Sequence, residues 1–143
     1  MKATMIRITS FLRHLLYILL LSALTPATQA LAADIYVIAH PSAKLSADAI
    51  RDVYIGEKQF AGDVKLVPVD NAVVLAEFLG KVLKLDPTRY ANLWVKKSFR
   101  DALNPPALRT SDNEVIEYVR KTPGAVAYVG APPPAGIPVI QKF

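Results

Sequence analysis

The chain has 143 residues and a formal net charge of +5, from 17 lysines and arginines against 12 aspartates and glutamates. Three of the basic residues and none of the acidic ones precede residue 33, so the remaining chain carries 14 basic and 12 acidic residues. So small a surplus does not favour nucleic-acid binding, because nucleic-acid-binding domains usually show a clustered basic face. The sequence has no cysteine, which excludes disulfide bonds and a lipid-bearing cysteine.

The first 32 residues have the pattern of a secretory signal peptide. Basic residues precede an apolar run over 15–24, and Pro26 and a small-residue site at 30–32 follow it. A membrane anchor is the alternative, but a spanning helix needs about 20 predominantly apolar residues, and Pro26 interrupts this run early. We therefore predict cleavage after Ala32 and a mature protein in the periplasm.

Residues 33–143 suffice for one domain, since domains typically have about 100 to 150 residues. A single domain is therefore predicted over 33–143. The predicted elements are a strand at 34–39, a helix capped by Ser46 that runs through Ile55 and is ended by Gly56, a strand at 64–69, a helix at 73–85, a helix beginning at Asp86-Pro87, a helix capped by Ser111, a strand at 125–129 and a weak strand at 137–140.

The last predicted helix carries the clearest local signals. Ser111 is placed to cap its first turn while Glu114 reaches back, the arrangement of a capping box. Pro123-Gly124 then ends the helix. Four aromatic residues at helical spacings are predicted to belong to the core, namely Phe78, Trp94, Phe99 and Tyr118.

Alternating strands and helices predict an α/β fold with a mostly parallel sheet flanked by helices. In such sheets ligands lie beyond the carboxyl ends of the strands, next to helix N-termini that attract anions. Two loops qualify by sequence. The candidate ligand-binding residues are Asp70 and Asn71 after the second strand, and Arg109, Thr110 and Ser111 before the last helix. Ordinary helix capping remains the alternative role for these residues.

Three separated segments resemble the substrate-binding proteins of phosphate ABC transporters. They are Leu-Ser-Ala-Asp-Ala-Ile-Arg-Asp-Val-Tyr-Ile-Gly-Glu-Lys at 45–58, Val-Pro-Val-Asp at 67–70, and the capped helix, Pro-Gly turn and strand at 111–129. The similarity runs over residues 34–130 in the family's order. It implies a single lobe of the type II periplasmic-binding-protein fold. It also implies non-covalent binding of phosphate or a related oxyanion, for delivery to an ABC transporter permease.

The chain departs from this family in two respects. Family members have two lobes closing on the ligand, whereas this chain is long enough for about one. The family's phosphate loop resembles Arg-x-Asp-Gly-Ser-Gly-Thr, and residues 68–74 retain only its aspartate, as Asp70. The alternative function is therefore an interaction or sensory module that binds a transporter subunit or a sensor ectodomain. Homodimerisation is a further alternative, because a second copy could supply the missing wall.

Catalytic and metal-binding patterns are weak in this sequence. His40 is the one histidine after residue 32, and no serine lies in a recognisable nucleophile motif. Asp48 and Asp52 form a single carboxylate pair, which is typical of a solvated helix face rather than of a metal site. We therefore expect no enzymatic activity, no metal site and no cofactor.

Overall fold

The computed structural model describes residues 33–143, so the predicted signal peptide at 1–32 lies outside the described residues. Within 33–143, no helix has both the length and the apolar character needed to cross a bilayer. The strands are β1 (Tyr36–Ala39), β2 (Phe60–Ala61), β3 (Val64–Lys65), β4 (Val67–Asn71), β5 (Ala107–Arg109), β6 (Ala125–Val129) and β7 (Val139–Lys142).

Five of these strands form one sheet in the order β5-β4-β6-β1-β7. Strands β5, β4 and β6 are parallel, whereas β1 runs antiparallel to both of its neighbours, β6 and β7. Four of the five strands therefore point in the same direction, which confirms the predicted α/β fold with a mostly parallel sheet. The short strands β2 and β3 form a separate hairpin, whereas the sequence predicts one continuous strand over 64–69.

Four helices flank the sheet in the described part of the chain. They are α1 (Ile50–Tyr54), α2 (Leu75–Phe78), which continues into one wide turn at Leu79–Leu83, α3 (Pro87–Asp101) and α4 (Asp112–Lys121). The Asp86 carboxylate accepts a hydrogen bond from Arg89 N, and Pro87 opens α3 as the sequence predicts. Ser46 lies before the short helical turn leading to α1, but its side chain makes no capping bond, which corrects that prediction.

The two faces of the sheet have different cores because successive side chains of a strand point to opposite faces. One face packs on α4 through Val69, Val115 and Val119, and the other packs on the remaining helices around Tyr54, Phe78 and Tyr128. The Phe78 and Tyr128 rings stack with centroids 3.8 Å apart.

The predicted core aromatics are only partly correct. Phe78 and Trp94 belong to the main core, and Tyr118 packs against the core beneath α4. Phe99, by contrast, is 91% exposed, because α3 turns it away from the sheet.

Candidate functional site

The candidate residues lie where β4 and β5 end. The two strands are parallel neighbours, and Asn71 pairs in register with Arg109. Ala72 N donates a hydrogen bond of 2.9 Å to Arg109 O, which ties the two strand ends together. Thr110 and Ser111 follow Arg109 into the first turn of α4. The structure therefore brings both predicted loops to one edge of the sheet.

Strand alternation divides this edge into two sides. Asn71 and Arg109 are register partners and face α4, whereas the preceding residue, Asp70, faces α3. The five candidate residues consequently do not form one continuous pocket. We call the two halves the α3 side, which contains Asp70, and the α4 side, which contains the other four.

On the α3 side, Asp70 is a buried carboxylate held by two tyrosines. The Tyr128 hydroxyl donates to Asp70 Oδ1 at 3.0 Å, and the Tyr90 hydroxyl donates to Oδ2 at 3.1 Å. Burial raises the pKa of Asp70 to about 6, although both tyrosine hydrogen bonds oppose the rise. Burial also raises the pKa of each tyrosine, and the Asp70 charge adds to this effect.

Asn71 connects β4 to α4 and β6. Its Nδ2 group donates to Asp112 Oδ1 at 2.6 Å and to Tyr128 O at 3.1 Å, while its Oδ1 accepts from Val73 N at 3.1 Å. The residue has no exposed surface. Both amide protons and the amide oxygen are thus used inside the protein. Asn71 therefore braces the strand end and shapes the turn after it.

The N-terminus of α4 holds two of the chain's own carboxylates. Asp112 Oδ2 accepts from Gly130 N at 3.1 Å. Glu114 accepts from Thr110 N and Thr110 Oγ1, each at 3.0 Å, and these bonds are the main reason why the pKa of Glu114 is lowered. Carboxylates are stabilised at this end of a helix by the partial positive charge of the free N–H groups.

The predicted cap at Ser111 is present, since Ser111 Oγ accepts from Glu114 N at 3.2 Å. The return contact differs from a standard capping box, in which the acidic side chain reaches the N–H of the cap residue. Here Glu114 reaches Thr110, one residue earlier. The hydroxyl groups of Thr110 and Ser111 are therefore both hydrogen-bonded to Glu114 in the first turn of α4.

Arg109 retains unused donor capacity. Its guanidinium carbon lies 4.5 Å from the centre of the Tyr118 ring, a cation–π arrangement that holds the half-buried side chain against α4. Its Nε is buried and has no hydrogen-bond partner among residues 33–143. A planar guanidinium is suited to bidentate contact with a phosphate or carboxylate. Arg109 is therefore the candidate residue best able to contact a solute.

Several partners at this edge were absent from the sequence-based site. Tyr90, Tyr128 and Asp112 contact the candidate residues directly. One signal was available for Tyr128, because it is the single hydroxyl in the buried strand Ala-Val-Ala-Tyr-Val and a buried hydroxyl usually needs a partner. Tyr90 lies 20 positions from Asp70, and Asp112 lies 41 positions from Asn71, so these two contacts depend on the completed fold.

Other features of the described chain were considered as functional sites and lie away from this edge. A cleft of about 440 Å³, lined by Val67, Trp94 and Leu103 among others, lies at the opposite end of β4.

No group of three or more acidic, histidine or cysteine side chains suited to a metal ion occurs within 33–143. His40 Nδ1 accepts from Ser42 N, and Ser42 Oγ accepts from Gly124 N, so this pair braces a turn.

The chain shows little sequence similarity to known proteins. The sequence matches no protein-family model, and no curated protein matches it. Among solved structures, the fold is similar to a crystal structure of an ABC-type phosphate transport receptor from Vibrio cholerae, with a TM-score of 0.47 and 14% sequence identity. The match covers 77% of this chain and 47% of the receptor, so the chain spans about half of that protein's length.

Proposed function

We propose that this protein is a non-catalytic solute-binding protein that recognises phosphate or a related oxyanion at the α4 side of the β4–β5 edge. The observation that carries the proposal is Arg109, whose guanidinium is held by Tyr118 while its buried Nε lacks a partner within 33–143. Buried donors without partners are uncommon in folded proteins. An oxyanion beside Arg109 would satisfy this group.

The other candidate residues have supporting roles in this proposal. Thr110 and Ser111 carry donors at the first turn of α4, where an oxyanion would compete with the Glu114 carboxylate. Asn71 fixes the position of the end of β4. On the α3 side, the Asp70 carboxylate is hydrogen-bonded to Tyr128 and leaves no open site there. The resemblance to phosphate-transporter binding proteins and the predicted signal peptide extend the proposal to a periplasmic protein that presents its ligand to an ABC transporter permease.

We expect the affinity to be low. A charge-assisted hydrogen bond contributes about 1.5 to 3 kcal/mol, and Arg109 is the principal cation of the proposed site. Asp112 and Glu114 at the same helix end repel a second anion. Weak binding is therefore the expected behaviour of this domain.

The test is a titration of the purified chain with phosphate and sulfate at matched ionic strength, in which NMR or calorimetry measures binding. Arg109→Ala should abolish the saturable response, because it removes the donor that lacks a partner. The control is Arg120→Ala, which removes an arginine from the far end of α4 where it pairs with Glu117. Equal binding by the wild-type chain and the Arg109 variant, with circular dichroism showing both folded, would refute the proposal.

A second function is favoured by the occupied N-terminus of α4. The side-chain donors and acceptors of Asn71, Thr110 and Ser111 are engaged within the protein, and Asp112 and Glu114 fill the helix end. The domain would then act as an interaction or sensory module that binds a transporter subunit or a sensor ectodomain. Absence of any oxyanion response, together with specific recovery of one such membrane protein from cell envelopes, would favour this function over solute binding.

A further inference from the structure

The cleft of about 440 Å³ lies at the end of β4 opposite the proposed oxyanion site. Its walls come from the end of α1, the β2–β3 hairpin, the end of α3 and the extended linker that leads from α3 to β5. Binding sites for small organic molecules typically have volumes of about 300 to 1,000 Å³ and are largely formed before the ligand arrives. The cleft is therefore large enough for a small organic ligand.

One part of the cleft is apolar. Trp94 and Leu103 lie close to Gly56, since a Cβ atom at Gly56 would be 3.1 Å from Trp94 Cη2 and 3.5 Å from Leu103 Cδ1. The linker contributes Pro105 and Pro106, and prolines have no main-chain N–H to donate. This part of the cleft consequently suits an apolar group. An aromatic ring fits best, because Trp94 offers an aromatic surface and aromatic rings pack favourably on each other.

The polar side chains that line the cleft are Lys58, Gln59, Lys65 and Asn104. Among residues 33–143, no aspartate or glutamate lines it. Neither lysine forms an ion pair within this range. Glu57, the carboxylate next to Lys58, is paired instead with the buried Lys97. A cleft lined by charges of one sign attracts the opposite charge, so this cleft favours an anionic group.

We propose that the cleft binds a small arylalkanoate, that is, a carboxylate joined by a short chain to an aromatic ring. The carboxylate lies beside Lys58 and Lys65, and the ring packs on Trp94 and Leu103. An inorganic oxyanion uses only the charged part of the cleft, and a neutral hydrocarbon uses only the apolar part. A ligand that carries both groups is therefore the class that the lining residues fit.

This site is separate from the proposed oxyanion site. The cleft is lined by Val67 and Pro68 at the start of β4, whereas Arg109 is the register partner of Asn71 at the end of that strand. The four residue steps from Val67 to Asn71 span about 13 Å of extended strand. Loss of ligand binding at one site should therefore leave binding at the other site unchanged.

The first test uses Trp94 as the reporter, because it is the single tryptophan of the chain and lines the cleft. The purified, isotope-labelled chain is titrated with phenylbutyrate, and NMR follows the one indole N–H signal, which should shift and saturate. Phenylbutanol, which lacks the charge, and acetate, which lacks the ring, should each bind at least about fivefold more weakly. Absence of a saturable shift with phenylbutyrate, or equal affinity for phenylbutyrate and phenylbutanol, would overturn the proposal.

The second test removes the two cations of the cleft one at a time. Lys58→Gln and Lys65→Gln should each weaken phenylbutyrate binding about two- to fivefold, the range expected for a solvent-exposed ion pair, and leave phenylbutanol binding unchanged. Lys96→Gln is the matched control, because Lys96 is an exposed lysine of α3 that does not line the cleft. Circular dichroism checks that all three variants fold. Unchanged affinity in both cleft variants, or an equal loss in the Lys96 variant, would contradict the proposal.

A third test distinguishes this site from the proposed function. Arg109→Ala should abolish the oxyanion response and retain the phenylbutyrate response, because Arg109 lies at the other end of β4. At matched ionic strength, phosphate should not displace phenylbutyrate from the wild-type chain. Competition between the two ligands, or loss of both responses in a folded Arg109 variant, would show that they share one site and would reject a separate site in the cleft.

Discussion

The two sides of the β4–β5 edge carry different polar groups, although the consecutive residues Asp70 and Asn71 face one side each. On the α3 side, Asp70 is buried and bonded to two tyrosine hydroxyls. On the α4 side, Arg109 is half-buried and its Nε has no partner within 33–143. The contrast shows how one strand end can combine a closed hydrogen-bond network, which fixes geometry, with a neighbouring side chain that remains able to contact a solute.

The largest effect is expected from Asn71→Ala, which breaks the connection between the two sides. The substitution leaves the buried Tyr128 carbonyl and the Val73 N–H without their side-chain partner. Because each buried unsatisfied group costs about 1 to 3 kcal/mol, we expect the free energy of unfolding to fall by about 3 kcal/mol. Urea denaturation monitored by tryptophan fluorescence measures the change.

Asn92→Ala is the matched control for this prediction. Asn92 is exposed on α3, and surface substitutions of this kind usually change stability by no more than about 0.5 kcal/mol. Equal stability losses in the two variants would show that Asn71 is not a brace between the two sides.

The effect of intermediate size is a pH dependence of the free energy of unfolding, which the buried Asp70 carboxylate should cause. Burial raises the pKa of Asp70 from 3.8 to about 6, so the folded state holds an extra proton between these values. The contribution of Asp70 therefore stabilises the fold as the pH falls towards 4 and is lost as the pH rises through 6. Asp70→Asn removes this titration, because an amide does not ionise in this range.

The stability of the wild-type chain relative to the Asp70→Asn variant should increase by about 2 kcal/mol between pH 7.5 and pH 4.5. Urea denaturation at both pH values gives this difference. Carboxylates with lowered pKa values, such as Glu114, make the fold less stable as the pH falls. Because they titrate alike in the wild-type chain and in the Asp70 variant, their effect cancels from the difference between the two proteins. A pH-independent difference between the wild-type chain and the Asp70 variant would mean that Asp70 is not protonated on folding.

The sequence was sufficient to predict the main elements of the fold. Local signals such as Asp86-Pro87, the Ser111 cap and Pro123-Gly124 act within one turn of chain, so their effects are visible in the sequence. The β2–β3 hairpin was missed because each of its strands has two residues, too few for a periodic pattern. Phe99 was misplaced because spacing identifies the face of a helix without showing whether another element covers that face.

The candidate site was predicted in part. The five residues do lie at one sheet edge, because the carboxyl ends of parallel strands meet there. Their division into two sides follows from strand alternation, and adjacent positions such as Asp70 and Asn71 already indicated it. The contact between Asn71 and Asp112 joins residues 41 positions apart, and the sequence contains no local signal for it.

The smallest effect is expected on the α4 side, from Ser111→Ala. Ser111 caps α4 through a bond from Glu114 N that is exposed to solvent, so water can replace the lost hydroxyl. Loss of a serine cap typically costs about 1 kcal/mol, less than the loss expected at Asn71. Ser46→Ala is the matched control, because Ser46 occupies a cap position without a side-chain capping bond and should change stability by less than about 0.5 kcal/mol. If Ser111→Ala destabilises the protein as much as Asn71→Ala, the Ser111 cap is as closed to solvent as the buried Asn71 network, and Arg109 would lose its distinction as the accessible donor of this edge.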